Sequence, residues 1–193
     1  MVYQTYTTHA FVCGSWLQNT SDKTFLLYTE CLGMIYANAR SVREERSKQR
    51  YALQDFSYIY VSLIQGNSGW RIGSVTEICN VFSDASDRKV RASMVWLCKL
   101  LRRFVSGTEP SSELFSMVVT SLKYLSKNDL KNRSLVQNMI EYKILYFLGY
   151  VSPTLTETSI LEMSINELDC VVFKKDIDSI KIAITKAREI SHL

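Results

Sequence analysis

The sequence predicts an α+β protein of two domains, a five-stranded β-barrel over residues 1–80 followed by an all-α helical domain over residues 81–193. Up to about residue 80, runs rich in Val, Ile, Thr and aromatic residues alternate between apolar and polar positions, as half-buried strands do. From Ser83 onward, apolar residues recur every three or four positions, which is the helical period. With 193 residues, 47% of them hydrophobic, the chain can bury one sizeable core or two small ones.

Five strands are predicted, and turns rich in Gly, Asn, Asp or Ser separate them. A closed, OB-like barrel is favoured because an open sheet would leave both edge strands unpaired. In the fourth strand, Tyr58 and Tyr60 alternate with aliphatic residues, so they lie on the outer face, where they either stack on the rings of a ligand or pack against the helical domain. The predicted strands are Tyr6–Leu17, Thr24–Glu30, Met34–Arg40, Leu53–Ile64 and Trp70–Cys79.

Four helices are predicted in the second half. The first follows a capping signal at residues 83–84, and Pro110 suits the first turn of the second. The third spans Asn132–Leu148 and, being apolar on most sides, is predicted to be the central buried helix. The last runs from about Asp176 to Ser191, with acidic residues early and basic residues late, as the helix dipole favours.

The basic residues are concentrated in the middle of the chain. Residues 40–105 contain 12 Lys or Arg against 6 Asp or Glu, a surplus of +6, whereas each flanking segment carries −1. A localised basic surface predicts a polyanionic partner, since phosphate contacts need charge concentrated on one face. Trp16, Trp70 and Trp96 are interpreted as core or domain-interface residues.

Two basic segments make up this surplus, a flexible loop at residues 40–50 and the back of the first helix. The loop is interrupted by two glutamates, which weaken it as a phosphate site, and the helix back is equally explained as a solvent-facing surface. Arg71 lies between the two segments in sequence. The cations of the loop are Arg40, Arg43, Arg46, Lys48 and Arg50, and those of the helix are Arg88, Arg91, Lys99, Arg102 and Arg103.

Several function classes are disfavoured. The five cysteines are scattered without a C-x-x-C pair, so neither a disulfide framework nor a zinc site is indicated. Only His9 and His192 are available to a nucleophile pair, and no phosphate-binding glycine loop is present. We therefore expect no enzyme activity, no cofactor and no small-molecule substrate. No signal peptide or membrane span is recognisable, which predicts a cytoplasmic protein.

Two segments resemble the RecO family of bacterial recombination mediators. Residues 21–29 (Ser-Asp-Lys-Thr-Phe-Leu-Leu-Tyr-Thr), then Gly33, the basic loop and residues 52–56 (Ala-Leu-Gln-Asp-Phe), are similar to the N-terminal domain of that family. Residues 139–150, which end in Leu-Gly-Tyr, look like a helix of its second domain. The resemblance covers roughly residues 8–152, and the order and spacing of the fragments carry it.

The resemblance implies a non-enzymatic protein of DNA repair and recombination, associated with the nucleoid. RecO-like proteins bind single- and double-stranded DNA, anneal strands, and act with RecR and the single-stranded DNA-binding protein to load RecA. Family DNA contacts would fall here on the loop cations, with Arg71, Arg88, Arg91, Arg102 and Arg103 as extensions. Many members carry a four-cysteine zinc knuckle in the helical domain, where this chain has only Cys98 and Cys170, so no zinc is carried over.

The alternative is a protein-interaction adaptor with little DNA binding of its own. In this hypothesis the helical domain docks a partner peptide in a groove lined by Leu, Met and Phe and edged with basic residues. Such a groove suits an acidic, hydrophobic tail of the kind found at the C terminus of single-stranded DNA-binding proteins.

Overall fold

The structure of the chain is a computed structural model that describes residues 4–107, 109–127, 130, 132–153, 158–165 and 177–191. Three residues that the sequence singled out, Cys170, Asp176 and His192, lie outside the described residues. Strands occupy the N-terminal half and helices the C-terminal half, so the predicted α+β arrangement is confirmed.

Five strands form a closed barrel in the spatial order β1-β2-β3-β5-β4, with β4 paired back onto β1. All neighbouring strands are antiparallel except β3 and β5, which run parallel over a short stretch. This arrangement agrees with the predicted OB-like barrel. The strands are β1 (Gln4–Leu17), β2 (Lys23–Thr29), β3 (Gly33–Ala39), β4 (Ser57–Gly66) and β5 (Gly69–Asn80).

The predicted start of the fourth strand at Leu53 is wrong. Residues Gln49–Ala52 form a helical turn, α1, and β4 begins only at Ser57. From this helical turn, Ala52 and Leu53 bury their side chains at the end of the barrel. A short apolar run of this kind has the same sequence pattern in a helical turn as in a buried strand. Phe56 then redirects the chain with a φ of 70°, and its N–H donates to the carbonyl of Val12 at 2.9 Å.

Alternate residues of the strands fill the barrel, as the period of two requires. Ile59, Val61 and Leu63 of β4 are fully buried, which confirms the inward face predicted for this strand. The side chains that pack with them come from all the other strands and from the loop after β3. They include Ala10, Val12, Phe25, Leu27, Ile35, Ala37, Val42 and Ile72.

Helices follow the barrel, and both predicted start signals are wrong. Asp87, not Ser83 or Asp84, caps the first long helix by accepting the N–H of Lys89 at 2.9 Å. Asp84 instead accepts the N–H of Asn80, which closes the turn after β5. Ser111 caps the next helix, so Pro110 lies outside its first turn. The helices are α2 (Arg88–Phe104), α3 (Ser112–Leu125), α4 (Arg133–Phe147), α5 (Thr158–Glu162) and α6 (Ile177–Ile190).

Helix α4 is buried on most sides, as its sequence predicts, but two of its buried residues are charged. The Lys143 ammonium donates to the backbone carbonyls of Leu161 and Met163. Glu141 accepts two hydrogen bonds from the Arg188 guanidinium of α6, at 2.8 and 2.7 Å. Burial nevertheless raises the pKa of Glu141, and Arg188 opposes that rise only in part.

The outer face of the barrel and the helices share one hydrophobic core. Phe11, Leu26, Tyr28 and Met34 point out of the barrel and pack among the buried residues of α2, α3 and α4. The rings of Tyr28 and Phe115 have centroids 5.3 Å apart. Because the core is continuous across residue 80, the division into two domains at that point stays a prediction. None of the described helices is long and apolar enough to cross a membrane.

We expect Arg188→Met to lower the free energy of unfolding by about 3 kcal/mol, because it leaves the buried Glu141 carboxylate without its partner. Loss of the guanidinium would raise the pKa of Glu141 further. A raised carboxyl pKa contributes stability at low pH that is lost as pH rises through the folded-state pKa. The destabilisation measured by urea unfolding should therefore be smaller at about pH 5 than at about pH 8.

The matched control is Lys186→Met, which removes an exposed cation from the same helix. It should change stability little at either pH. Two results would contradict the assigned role of the Glu141–Arg188 pair. One is that Lys186→Met destabilises the protein as much as Arg188→Met, and the other is that the destabilisation by Arg188→Met does not depend on pH.

Candidate nucleic-acid interface

A cleft of about 440 Å³ opens at the end of the barrel that α1 covers. We call it the barrel-end cleft. Its residues come from the end of β1, the start of β2, the loop after β3, and the segment from α1 to β4. They are Ser15, Lys23, Phe25, Val42, Arg43, Arg50, Leu53, Gln54 and Asp55.

The loop at residues 40–50 is held against the barrel. Val42 is only 2% exposed and belongs to the barrel core. The Arg43 guanidinium donates to the carbonyls of Asn19 and Thr20, at 3.1 and 2.8 Å, which ties the loop to the β1–β2 turn. On the same turn, the Asp22 carboxylate accepts the N–H of Ser41 at 2.7 Å, and this hydrogen bond lowers the pKa of Asp22.

The lining of the barrel-end cleft favours an anion. Lys23, Arg43 and Arg50 face it together with a single carboxylate, Asp55. Arg43 uses only Nη1 in the two hydrogen bonds above, and a guanidinium has five N–H donors. The Arg50 guanidinium lies 5.4 Å from the ring centre of Tyr51, an exposed aromatic residue of α1.

An aromatic surface adjoins the cleft on the outside of β1 and β3. Trp16 and Tyr36 are 40% and 62% exposed, and their ring centroids are 5.9 Å apart. The Arg102 guanidinium of α2 lies 5.3 Å from the centre of the Trp16 ring. We call these three residues the aromatic platform.

The cleft and the platform adjoin at the end of β1, where consecutive residues face opposite sides of the strand. Ser15 lines the cleft while Trp16, the next residue, belongs to the platform. Trp16 lies opposite Thr24, which follows Lys23, and Thr24 donates to the side chain of Asn38 at 2.7 Å. Asn38 lies in turn opposite Arg71 of β5, so one row of polar and aromatic side chains crosses four strands.

The structure gives the predicted loop cations different surroundings. Arg40, Lys48 and Arg50 are exposed, and within the described residues none of the three forms an ion pair. Arg46 forms one with Glu44 at 2.9 Å. Arg43 is the structural tie described above, so the three unpaired cations are the better candidates for phosphate contacts.

The predicted helix arginines are also divided. Arg102 is the one that joins the platform. Arg91 donates to the carbonyl of Ala85, whereas Arg103 donates to the carbonyl of Arg188 in α6. Arg88 is exposed in the first turn of the helix. These four arginines thus do not face a single neighbour.

Tyr58 and Tyr60 lie on the outer face of β4, away from the platform. Tyr58 is half-buried, with its ring stacked on His9 at 5.7 Å and 6.5 Å from Phe115 of α3. Burial raises the pKa of Tyr58. Tyr60 is 47% exposed and also contacts His9, at 5.1 Å. Because His9 is seven residues from Trp16 on β1, about 20 Å of strand separates the two aromatic groups.

The platform was not predictable from strand alternation, because β1 contains a β-bulge. Strict alternation from the inward-facing Val12 would also turn Trp16 inward. The pairing of β1 with β2 shifts by one residue between Val12 and Gly14, so Ser15 lies opposite Phe25 and Trp16 faces outward. Gly14 inside a predicted strand was the available signal, since an isolated strand glycine often marks a bulge.

Nothing among the described residues suggests a metal centre. No group of three or more His, Cys, Asp or Glu side chains in the described ranges could hold an ion. Cys13 and Cys98 are buried next to each other, and the Cys98 thiol donates to the Cys13 carbonyl at 2.8 Å. These two cysteines therefore join the barrel to α2.

Comparison with known proteins shows which family this chain resembles. Residues 85–168 match the family model described as "Recombination protein O C terminal". A protein named "DNA repair protein RecO" from Desulfitobacterium hafniense is 28% identical over 152 residues, which cover 79% of this chain and 54% of that protein. The chain is therefore similar to RecO-family proteins.

Further proteins with the same name show a comparable similarity. The Clostridium novyi protein is 26% identical over 145 residues, covering 75% of this chain and 56% of that protein. The Clostridium acetobutylicum protein is 27% identical over 133 residues, covering 68% and 53%. Since residues 81–193 number only 113, each of these matches extends into the barrel. The chain spans about half the length of the curated relatives it matches.

Proposed function

We propose that this chain is a RecO-family protein and that it acts in DNA repair and recombination by binding single-stranded DNA, and also double-stranded DNA, without catalysis. The observation that carries the proposal is the contiguity of the barrel-end cleft with the aromatic platform. Cations for phosphates and exposed rings for bases lie on adjoining surfaces, the combination that single-strand binding requires. The name of the relatives, DNA repair protein RecO, supports the biological role.

Phosphate neutralisation supplies most of the proposed affinity. Each Lys or Arg that contacts a phosphate releases condensed counterions, so affinity falls steeply with salt. Arg40, Lys48 and Arg50 form no ion pair among the described residues, so no direct salt bridge has to break before they contact a phosphate. Arg71 and Arg102 extend the basic surface along the outer face of the barrel.

Annealing needs no reacting group on this surface. Two complementary strands repel each other through their phosphates, and a basic surface that holds both strands screens this repulsion. In the proposed role, RecR and the single-stranded DNA-binding protein are the partners with which the chain helps to load RecA. These partners follow from the family resemblance.

The proposed phosphate contacts can be tested by a salt series. We expect Arg40→Gln/Lys48→Gln/Arg50→Gln to weaken binding to a fluorescent single-stranded oligonucleotide in anisotropy titrations. The slope of log K against log salt should become shallower by about 2, since each lost contact on single strands accounts for about 0.7.

The matched control is Lys123→Gln/Lys181→Gln/Lys186→Gln, which removes three exposed lysines from α3 and α6. It should keep the slope of the wild type. If the wild type shows no salt-sensitive binding at low ionic strength, the proposed function is wrong. If both triple variants behave alike, the location of the site is wrong.

The aromatic platform is tested by Tyr36→Ala. A stacked base contributes about 1–3 kcal/mol, so we expect roughly a tenfold loss of affinity for single strands at every salt concentration, with an unchanged salt slope. Tyr146→Ala removes a comparably exposed ring from α4 and serves as the control. Equal effects of the two substitutions would rule out stacking at the platform.

A second candidate function, docking of a partner peptide, is favoured by a small groove between α2 and α6. The groove has a volume of about 140 Å³, and it combines three apolar side chains with three cations. The sequence predicts a groove lined by Leu, Met and Phe and edged with basic residues for an acidic, hydrophobic tail. This groove has that character, with Trp where Met was expected. The residues are Trp96, Lys99, Leu100, Arg103, Phe104 and Arg188.

Peptide docking predicts that an acidic peptide ending in apolar residues and a free carboxylate binds the wild type. Lys99→Glu should weaken this binding at least tenfold, because it reverses the charge of an exposed rim cation. Lys89→Glu makes the same change on the first turn of α2 and should have little effect. Calorimetry measures the affinity of both variants for the peptide. Peptide binding without any DNA binding would favour the adaptor, and no peptide binding would exclude this docking site.

A further inference from the structure

A second exposed ring adjoins the barrel-end cleft, apart from the aromatic platform. Tyr51 of α1 is 60% exposed, close to the value for Tyr36 of the platform. The residue before it, Arg50, lines the cleft, and its guanidinium lies 5.4 Å from the centre of the Tyr51 ring. Ser15 and Trp16 are related in the same way, since Ser15 lines the cleft and Trp16 carries an exposed ring. Exposed rings therefore adjoin the cleft from α1 as well as from β1.

The helical turn α1 holds Tyr51 in place. The Gln49 side-chain amide donates to the carbonyl of Gly73 in β5 at 2.6 Å, and the N–H of Leu53 donates to the Gln49 carbonyl at 2.9 Å. Ala52 and Leu53, the two residues after Tyr51, are buried. Because the flanking backbone is already fixed in the free protein, less conformational entropy is lost when a ligand binds to the ring.

The surroundings of Tyr51 distinguish it from an ordinary exposed tyrosine. Single aromatic side chains are common on protein surfaces and need no explanation. Within the described residues, however, the Arg50 guanidinium beside the Tyr51 ring forms no ion pair. An exposed ring next to a cation that is not paired with a carboxylate is the combination that stacks a base and holds its phosphate.

We infer that Tyr51 stacks a second base, and that the ligand of this site is an unpaired strand that spans Tyr51, the barrel-end cleft and the aromatic platform. This inference rests on the proposed function and describes its ligand more closely. The cleft itself takes the charged backbone of the strand, because the apolar residues of its lining are at most 4% exposed and offer a base no surface. Lys23, Arg43 and Arg50 supply cations for the phosphates between the stacked bases.

Stacking on Tyr51 separates unpaired strands from duplexes. Every base has a flat face, so a tyrosine ring accepts all of them with little preference. In a duplex those faces are covered by the neighbouring base pairs, whereas unpaired bases can be splayed out and stacked on aromatic side chains. The cations around the cleft attract the phosphates of both forms. The exposed rings thus add affinity for single strands alone.

Tyr51→Ala tests the inference in anisotropy titrations with a single-stranded oligonucleotide of about 12 nucleotides, a length within the usual range of such sites. We expect roughly a tenfold loss of affinity with an unchanged salt slope, the effect of one lost stacking contact. Tyr51→Phe keeps the ring and should keep the affinity. Relaxed closed-circular duplex DNA, which has no unpaired ends, should compete equally well for the wild type and for Tyr51→Ala.

The double variant Tyr36→Ala/Tyr51→Ala tests whether the two rings hold different bases. Independent contacts add in free energy, so the double variant should bind the same oligonucleotide roughly a hundredfold more weakly than the wild type. A double variant no weaker than Tyr36→Ala would mean that the two rings serve one base, and the spanning strand would be wrong.

The remaining outcomes separate the inference from the proposed function. Salt-sensitive binding that Tyr51→Ala leaves unchanged would overturn the second stacking site and leave DNA binding intact. A loss in Tyr51→Ala that comes with a shallower salt slope and an equal loss of duplex binding would mean that Tyr51 only positions Arg50, which also overturns the stacking site. A wild type that binds no DNA at low ionic strength would overturn both.

Discussion

The extra residue in β1 is the constraint on which both surfaces of the barrel depend. Before the bulge at residues 13–14, Phe11 faces the helices and Val12 faces the barrel interior. After it, Ser15 turns into the cleft and Trp16 turns outward. Without the bulge these two residues would exchange sides, because a one-residue shift moves every later side chain to the other face. Strand β1 therefore packs against the helices and also carries residues of the candidate site.

The helical part contributes to the site as well as to the core. Helix α2 packs on the barrel through its apolar stripe, and the Cys98 thiol donates to the Cys13 carbonyl at the bulge itself. One turn later, α2 places Arg102 over Trp16. The proposed DNA surface is thus assembled from the barrel and from α2, which explains why its basic residues are spread over residues 23–102.

Periodicity was sufficient to predict the fold but not the detailed site. The alternation in residues 58–64 gave the inward face of β4, and the stripe from Val90 to Phe104 gave the buried face of α2. Periodicity did not predict the local exceptions to these patterns. The helical turn before β4 buries the same apolar residues as a strand would, and Asp87 replaces Asp84 as the cap because Asp84 closes the turn after β5. Contacts between segments distant in sequence also decide which loop cations are held by other residues, as Arg43 is held by the β1–β2 turn.

Hydrogen exchange of the chain with and without a single-stranded oligonucleotide tests the location of the DNA surface most directly. The account predicts slower exchange in peptides covering residues 12–26 and 34–55, which contain the bulge, the platform and the barrel-end cleft. Exchange around Tyr58 and Tyr60 and in α3, α4 and α6 should be unchanged. Protection confined to those helices, or centred on the two tyrosines of β4, would contradict it.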